Sequence, residues 1–350
     1  MAAAPPVIEI APITDFAALA PLWRDLERHA DCSFFQSWAW TGCLAEERFA
    51  DPWLLSTRRG DRIVALGLFN RGPRAGLSRP ILLAESGRAD LDSVFIEHNG
   101  LLLARDEPAD LAGQCWRALA VTFGKAKWLV SGTTEIAAFP ADRIAKVRVK
   151  RPAPYLELSP GIDPLDIFSA NTRQQLRRSL RAWEEIGPMR LDIASPDQAG
   201  GYLDALADLH QQYWTGRGKP GAFAEPFFGR FHHALLNRAS DRQSIDLIRV
   251  SAGDRVAGYL YNFVHDGWVA AYQSGFDFGP DADRLRPGLV CHLMAIQHYR
   301  QAGMRRYDFL GGEARYKRSL ANAEIPLVWL DVRHKLPWQS SLQAVSSSEF

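Results

Sequence analysis

The segment Trp268–Leu320, WVAAYQSGFDFGPDADRLRPGLVCHLMAIQHYRQAGMRRYDFLGGEARYKRSL, decides how the chain is read. It predicts a strand, an irregular loop, a Pro-Gly entry into a helix, a second strand, a Gly-Gly turn and a short helix carrying Tyr316 and Lys317. Proline fits a first helical turn, and glycine lets a ligand come close to the backbone. The first N–H groups of a helix lack partners and carry roughly half a positive charge. With Arg284 and Arg286 just ahead, the start of this helix reads as an anion site suited to a pyrophosphate.

Upstream, SIDLIRV, SAGD, RVAGYLYNFV, HDG and WVAAYQSG predict a three-stranded antiparallel meander. Before it, Ser169 or Asn171 caps a helix over about 172–186. Its buried stripe is Leu176, Leu180 and Trp183, and Arg173, Arg177, Arg178 and Arg181 crowd the other faces. Those arginines read as a solvated face or as contacts to an anionic substrate group, with Arg177 the candidate. Asp197 opens a further helix. The stretch WTGRGKPGAF (214–223) that follows is glycine-rich, basic and aromatic. It reads as an acceptor-pocket loop, with Trp214, Arg217 and Tyr272 as candidate acceptor contacts.

The first half echoes this order. WLLSTRRGDRIVALGLF matches IDLIRVSAGDRVAGYLYNF around the turns Gly60-Asp61-Arg62 and Gly253-Asp254-Arg255, and the helix-ending Gly124 matches Gly303. The first copy lacks a Pro-Gly helix entry and a Tyr-Lys pair, so the chemistry is expected in the second. Pro-rich KRPAPYLELSPGIDP (150–164) reads as the boundary. The division expected is 1–155, 156–337 and a flexible tail, 338–350.

At 350 residues the chain is long enough for two domains of roughly 150 residues each. A formal charge of +1 gives no global field for nucleic acid or an anionic membrane. No apolar run approaches the roughly 20 residues of a membrane span, and no cationic segment precedes an apolar core near the start. Cys32, Cys43, Cys115 and Cys291 are scattered, which argues against a disulfide framework or a zinc site and for reduced thiols in the cytoplasm. His292 and His298 do not share a helix face, so no metal is expected.

The order of three antiparallel strands, loop, helix, strand and helix resembles the GNAT acyltransferase fold. RPGL (286–289), YDFLGG (307–312) and YK (316–317), with NTRQQLRRSLRAWEEIG (171–187) and LHQQYWTGRGKPGAF (209–223), resemble its FemAB-like and CelD-like branch. The resemblance implies an α/β (α+β) chain of tandem GNAT-like domains, each a mixed, mainly antiparallel twisted sheet flanked by helices. It implies acyl-CoA as co-substrate and a small-molecule amine acceptor: an amino acid, an amino sugar or an envelope or polysaccharide precursor. Donor contacts fall on Gln273, Ser274, Arg284, Arg286, Gly288, Leu289 and Val290, although Leu285 and Val290 depart from the usual diphosphate-loop pattern. A strand N–H near Gln273–Ser274 would stabilise the oxyanion. Asp277 or Asp308 would take the ammonium proton, Tyr316 would protonate the leaving thiolate, and Lys317 would bind donor phosphate or acceptor carboxylate. Aminoacyl transfer from a charged tRNA to a cell-wall precursor ranks lower, since no long heptad arm and no net basic charge accompany the motifs. A non-catalytic accessory role in exopolysaccharide production is the third reading.

Overall fold

The computed structural model describes residues 4–74, 78–134, 139–239 and 244–335. The tail expected at 338–350 lies outside them. The chain divides into two compact units, Met1–Lys150 with Leu327–Phe350, and Arg151–Pro326. The division between 150 and 151 falls five residues before the expected boundary. The segment from Leu327 groups with the first unit, not the second.

The first unit holds β1 (Val7–Pro12), α1 (Leu19–Glu27), α2 (Trp38–Arg48), β2 (Pro52–Arg59), β3 (Arg62–Arg71), β4 (Ile81–Leu83), β5 (Leu102–Leu103), α3 (Leu111–Phe123) and β6 (Trp128–Thr133). Strands β1 to β4 follow one another antiparallel, and β6 joins β4 in parallel with Ile81 opposite Trp128. The far side of β6 is closed, antiparallel, by residues 328–332, which come from the other end of the chain. Apolar faces of α1 and α3 and of the sheet meet in one core, where Trp116 stacks on Trp128.

A long strand, β7 (Arg143–Glu157), leads into the second unit. The first half of the proline-rich boundary, 150–157, is therefore strand rather than linker. Pro152 and Pro154 lack N–H groups, but their carbonyls accept from Gly312 N–H and Phe309 N–H, both at 2.9 Å. Spaced two apart, the prolines leave both gaps on the same side of the strand.

Next come α4 (Pro164–Ile167), α5 (Ala170–Glu184), β8 (Met189–Ile193), α6 (Pro196–Thr215), α7 (Pro226–Ala239), β9 (Ile245–Ala252), β10 (Arg255–His265), β11 (Trp268–Phe276), α8 (Ala282–Leu285), α9 (Pro287–Gln301), β12 (Arg306–Asp308), α10 (Arg315–Ser319) and β13 (Ala323–His334). The expected meander is β9–β11. Strand β8, which sequence reading missed, extends it at the edge. The helix expected from Asp197 starts one residue earlier, because Ser195 and Gln198 form a reciprocal capping box.

Helix α9 and the Leu176 and Trp183 face of α5 cover one side of the sheet, with Ala257, Leu260, Val269 and Val290 in the shared core. Helix α6 lies along β11. It comes so close that a Cβ on Gly275 would stand 2.3 Å from the Leu206 carbonyl oxygen. Among the described residues no helix is long and apolar enough to cross a membrane.

Backbone cannot retreat as a flexible side chain can, so Gly275→Ala should cost about 1–3 kcal/mol, read as a lower urea midpoint at unchanged slope. Unchanged stability would show that α6 does not bear on β11 at this point.

Candidate active site

The central feature is where β11 and β12 part. They pair in parallel at Trp268–Ala270 with Arg306–Asp308 and no further. Strand β11 runs on to Phe276 alongside β10, with a bulge at Tyr272. The chain after β12 instead follows β7, through the Phe309 and Gly312 bonds to the two proline carbonyls. A cleft opens between Ala271–Phe276 and Phe309–Gly312.

The turn that peels the chain away is strained and clamped. Leu310 has φ +60°, an uncommon conformation for a branched residue. Asp308 Oδ1 accepts from the Leu310 N–H at 2.7 Å, and Lys317 Nζ donates to the carbonyls of Leu310 (3.1 Å) and Gly311 (2.9 Å). Asp308 is buried in the sheet. These two members of the expected catalytic set therefore hold the turn itself. Asp277, at the end of β11, is engaged too: Oδ2 takes two bonds from Arg255 and Oδ1 accepts from Gly279 N–H.

The start of α9 is fixed from α5. Ser179 Oγ and Trp183 Nε1, one turn apart, donate to the carbonyls of Arg284 and Leu285 that end α8. Gln175, one turn earlier, accepts from Arg286. Held by this stripe, Arg286 adopts φ +44° and ψ +58°, and α9 begins at Pro287. Leu289 and Val290 N–H both turn back to the Arg286 carbonyl. Proline offers no donor, so among the described residues the Gly288 N–H is the one first-turn donor left without a partner. The Arg286 Nε is buried and also without a partner. A Cβ on Gly288 would come 3.1 Å from the Phe276 ring. A side chain at 288 would thus crowd that ring, and the start of α9 keeps one free backbone donor and one free guanidinium donor.

Of the expected donor residues, Gln273 and Ser274 line the bared part of β11, and Arg286, Gly288 and Leu289 stand at the helix start. Arg284 turns outward to Glu185 at 2.9 Å, and the Val290 side chain is core. Of the expected acceptor residues, Trp214 and Arg217 lie at the end of α6, with Arg217 over the Tyr213 ring. Tyr272 is buried among Phe228, His232 and Phe263, and Arg177 is exposed on α5.

Tyr316 stands in the cleft, stacked on His292 at 5.2 Å. Burial, with the nearby Tyr213 phenol, pushes its pKa up to about 12, so it is a protonated donor at neutral pH. Tyr213 contacts Phe278, Phe278 contacts Phe276, and Phe276 meets His292. One aromatic row thus joins the end of α6 to Tyr316. The sequence reading assigned no role to Tyr213 or to His292. Both sit at helical spacings indistinguishable from core positions, and only the parting of the strands exposes their use.

His292 is buried, with Nδ1 2.9 Å from the Tyr307 hydroxyl and Nε2 without a partner. Burial, with a smaller contribution from Lys317, lowers its pKa to about 3. Behind it, Asn262 bonds Tyr299, whose hydroxyl donates to Asp246 at 2.8 Å. The equivalent parallel pair in the first unit, β4 and β6, is covered. The chain at Ile96–Glu97 crosses Gly132 so closely that a Cβ there would stand 2.1 Å from a carbonyl oxygen, and Arg48 bonds the Ala84 and Leu91 carbonyls.

Residues 170–318 match the acetyltransferase (GNAT) domain family. The matched residues lie within the second unit. Over 92% of the chain and 96% of the other, the fold is similar to FemX at 8% identity and a TM-score of 0.58. A conserved protein of unknown function from Bacteroides thetaiotaomicron aligns over 94% of the chain and all of its own, at 12% identity and a TM-score of 0.57. The C-terminal domain of a putative lysylphosphatidylglycerol synthetase from Agrobacterium fabrum aligns over 95% and 96%, at 13% identity and 0.54. No curated protein matches the chain.

The unfolded chain takes up a proton at His292 as pH falls below about 6.5, whereas the folded protein keeps it neutral to about 3. Stability present above 6.5 should therefore be lost between 6.5 and 3, at about 1.4 kcal/mol per pH unit from this residue. Urea unfolding from pH 7 to pH 4 should show a slope shallower by about one proton in His292→Phe. An equal slope would mean that the imidazole is not held neutral.

Proposed function

We propose that the second unit transfers an acyl group from an acyl-CoA to the amine of a small acceptor by direct attack. The observation that carries this reading is the parting of β11 and β12 beside the anion cradle of α9, with a protonated phenol between them. Arg286 and the Gly288 N–H would hold the donor diphosphate. Backbone N–H near Gln273–Ser274 would face the oxygen that gains charge. The acceptor nitrogen forms a bond to the thioester carbon as the carbon–sulfur bond breaks. The nitrogen's proton leaves through water, and the departing thiolate takes the Tyr316 proton. Asp308 and Lys317 act on the geometry of the cleft, by holding the Leu310 turn. The first unit is covered at the matching place, so the reaction is assigned to the second unit alone.

A second reading is aminoacyl transfer of the FemAB type. Similarity of fold to FemX and to a lysylphosphatidylglycerol synthetase domain, with the exposed arginines of α5, favours it. The acceptor class is an amino acid, amino sugar or envelope or polysaccharide precursor in the first reading and a cell-wall precursor in the second.

Acetyl-CoA should raise the melting temperature by several degrees at millimolar ligand. Arg286→Gly keeps the left-handed backbone conformation while removing the cation, and should weaken donor binding about tenfold. Tyr316→Phe should lower turnover by about 10²-fold with little change in donor affinity. No thermal shift with any CoA thioester, together with a shift from aminoacyl-tRNA, would replace the first reading by the second.

A further inference from the structure

His210 lies near the end of α6 and is only 8% exposed. Its Nδ1 is 3.1 Å from the Ser274 carbonyl oxygen, and its Nε2 is 3.2 Å from the backbone nitrogen of Ala222. A backbone N–H can only donate, so Nε2 accepts and carries no proton. A carbonyl can only accept, so Nδ1 carries the proton and donates. One neutral tautomer satisfies both contacts.

The partners lie on the two sides of the reaction. Ser274 belongs to the stretch of β11 bared by the parting of the strands. Ala222 ends the glycine-rich loop that follows Thr215. The neighbouring Gln211 holds the same loop through Nε2 to the Pro220 carbonyl at 2.8 Å. Facing the imidazole are the Ser274 carbonyl from β11, the Ala222 N–H and Phe223 ring from the loop, and the Trp214 ring from α6. Phe228 of α7 packs behind Phe223. The loop's cations lie elsewhere, Arg217 over Tyr213 and Lys219 on the Trp214 ring.

We propose that His210, as the neutral Nδ1–H tautomer, is a positioning residue that ties the acceptor loop 216–222 to the donor-facing strand at Ser274. This rests on the acyltransfer reading above for the identity of the two sides. Seating a donor along β11 and closing the loop then become one equilibrium. A protonated imidazole has two donors and no acceptor, so it would turn an N–H against the Ala222 N–H and open the clasp. Burial lowers the pKa of the ring from its ordinary 6.5, so the clasp is closed at neutral pH and weakens as pH falls below 6.5.

The test is hydrogen exchange of the Ala222 amide by NMR, corrected for intrinsic rates, in the full chain and two variants. His210→Gln can still donate to Ser274 and accept from Ala222, whereas His210→Phe fills the space without bonding. In ligand-free protein at pH 7.5, exchange should be about tenfold faster in the Phe variant and within about threefold of wild type in the Gln variant. Wild-type protection should fall by up to about tenfold per pH unit below 6.5, and that dependence should vanish in the Gln variant. The imidazole nitrogens should report Nδ1 protonated. Equal protection in all three proteins, a flat pH profile or an Nε2–H tautomer would overturn the clasp, and the last two need no variant to fold. Saturating acetyl-CoA should slow Ala222 exchange in wild type and not in the Phe variant. Equal slowing in both would overturn the coupling. If calorimetry shows no acetyl-CoA binding, the donor reading and the coupling fall together, while the ligand-free measurements still decide the clasp.

Discussion

Everything in the second unit depends on β12 leaving β11 after three residue pairs. A sheet gains by continuing its ladder, so parting needs a competing partner and a turn that aims the chain at it. The proline carbonyls of β7 supply the partner, since they can accept without asking for an N–H in return. The Leu310 turn supplies the aim, and its left-handed backbone is a cost of about 1–3 kcal/mol that neighbouring contacts must offset. Asp308 grips its N–H and Lys317 its carbonyls. With the strands apart, β11 keeps a bared stretch of backbone, α9 can start beside it, and Tyr316 has a place to stand.

A second strain lies opposite. Arg286 is held left-handed because α5 satisfies the carbonyls just before it. Two non-glycine residues with positive φ thus flank one cleft, each fixed by charged or indole groups from another element. Strain held this firmly at both ends of a cleft suits a site that must not relax between turnovers.

The meander, the α9 helix and the doubled order of elements were legible in the sequence because each rests on local periodicity or on a Gly-Asp-Arg turn. Strand β8 was not, since MRLDI is short, half exposed and defined by its partner β9. The proline-rich stretch misled because proline has no N–H to donate, and nothing local reveals that the neighbouring segment asks only for acceptors. Within the site, the RPGL helix entry could be read from residue type and spacing, whereas the role expected of Tyr316 came from the resemblance to the GNAT fold. The clamp made by Asp308 and Lys317 could not, because a carboxylate and an ammonium bonding to backbone leave the same sequence trace as a catalytic pair. His210 and His292 carry no motif, and their partners are backbone atoms or a side chain fifteen residues away.

The strand that closes the first sheet is the last one among the described residues. During synthesis, β6 emerges with its outer edge open, and residues 328–332 follow only after the whole second unit. At about 5–20 residues per second, a ribosome needs roughly ten to forty seconds to cover that interval. The unit made first is the unit completed last, and until then its Trp128–Thr133 edge is a template for any passing strand. The order of the chain thus leaves an edge exposed during synthesis that the finished fold no longer shows.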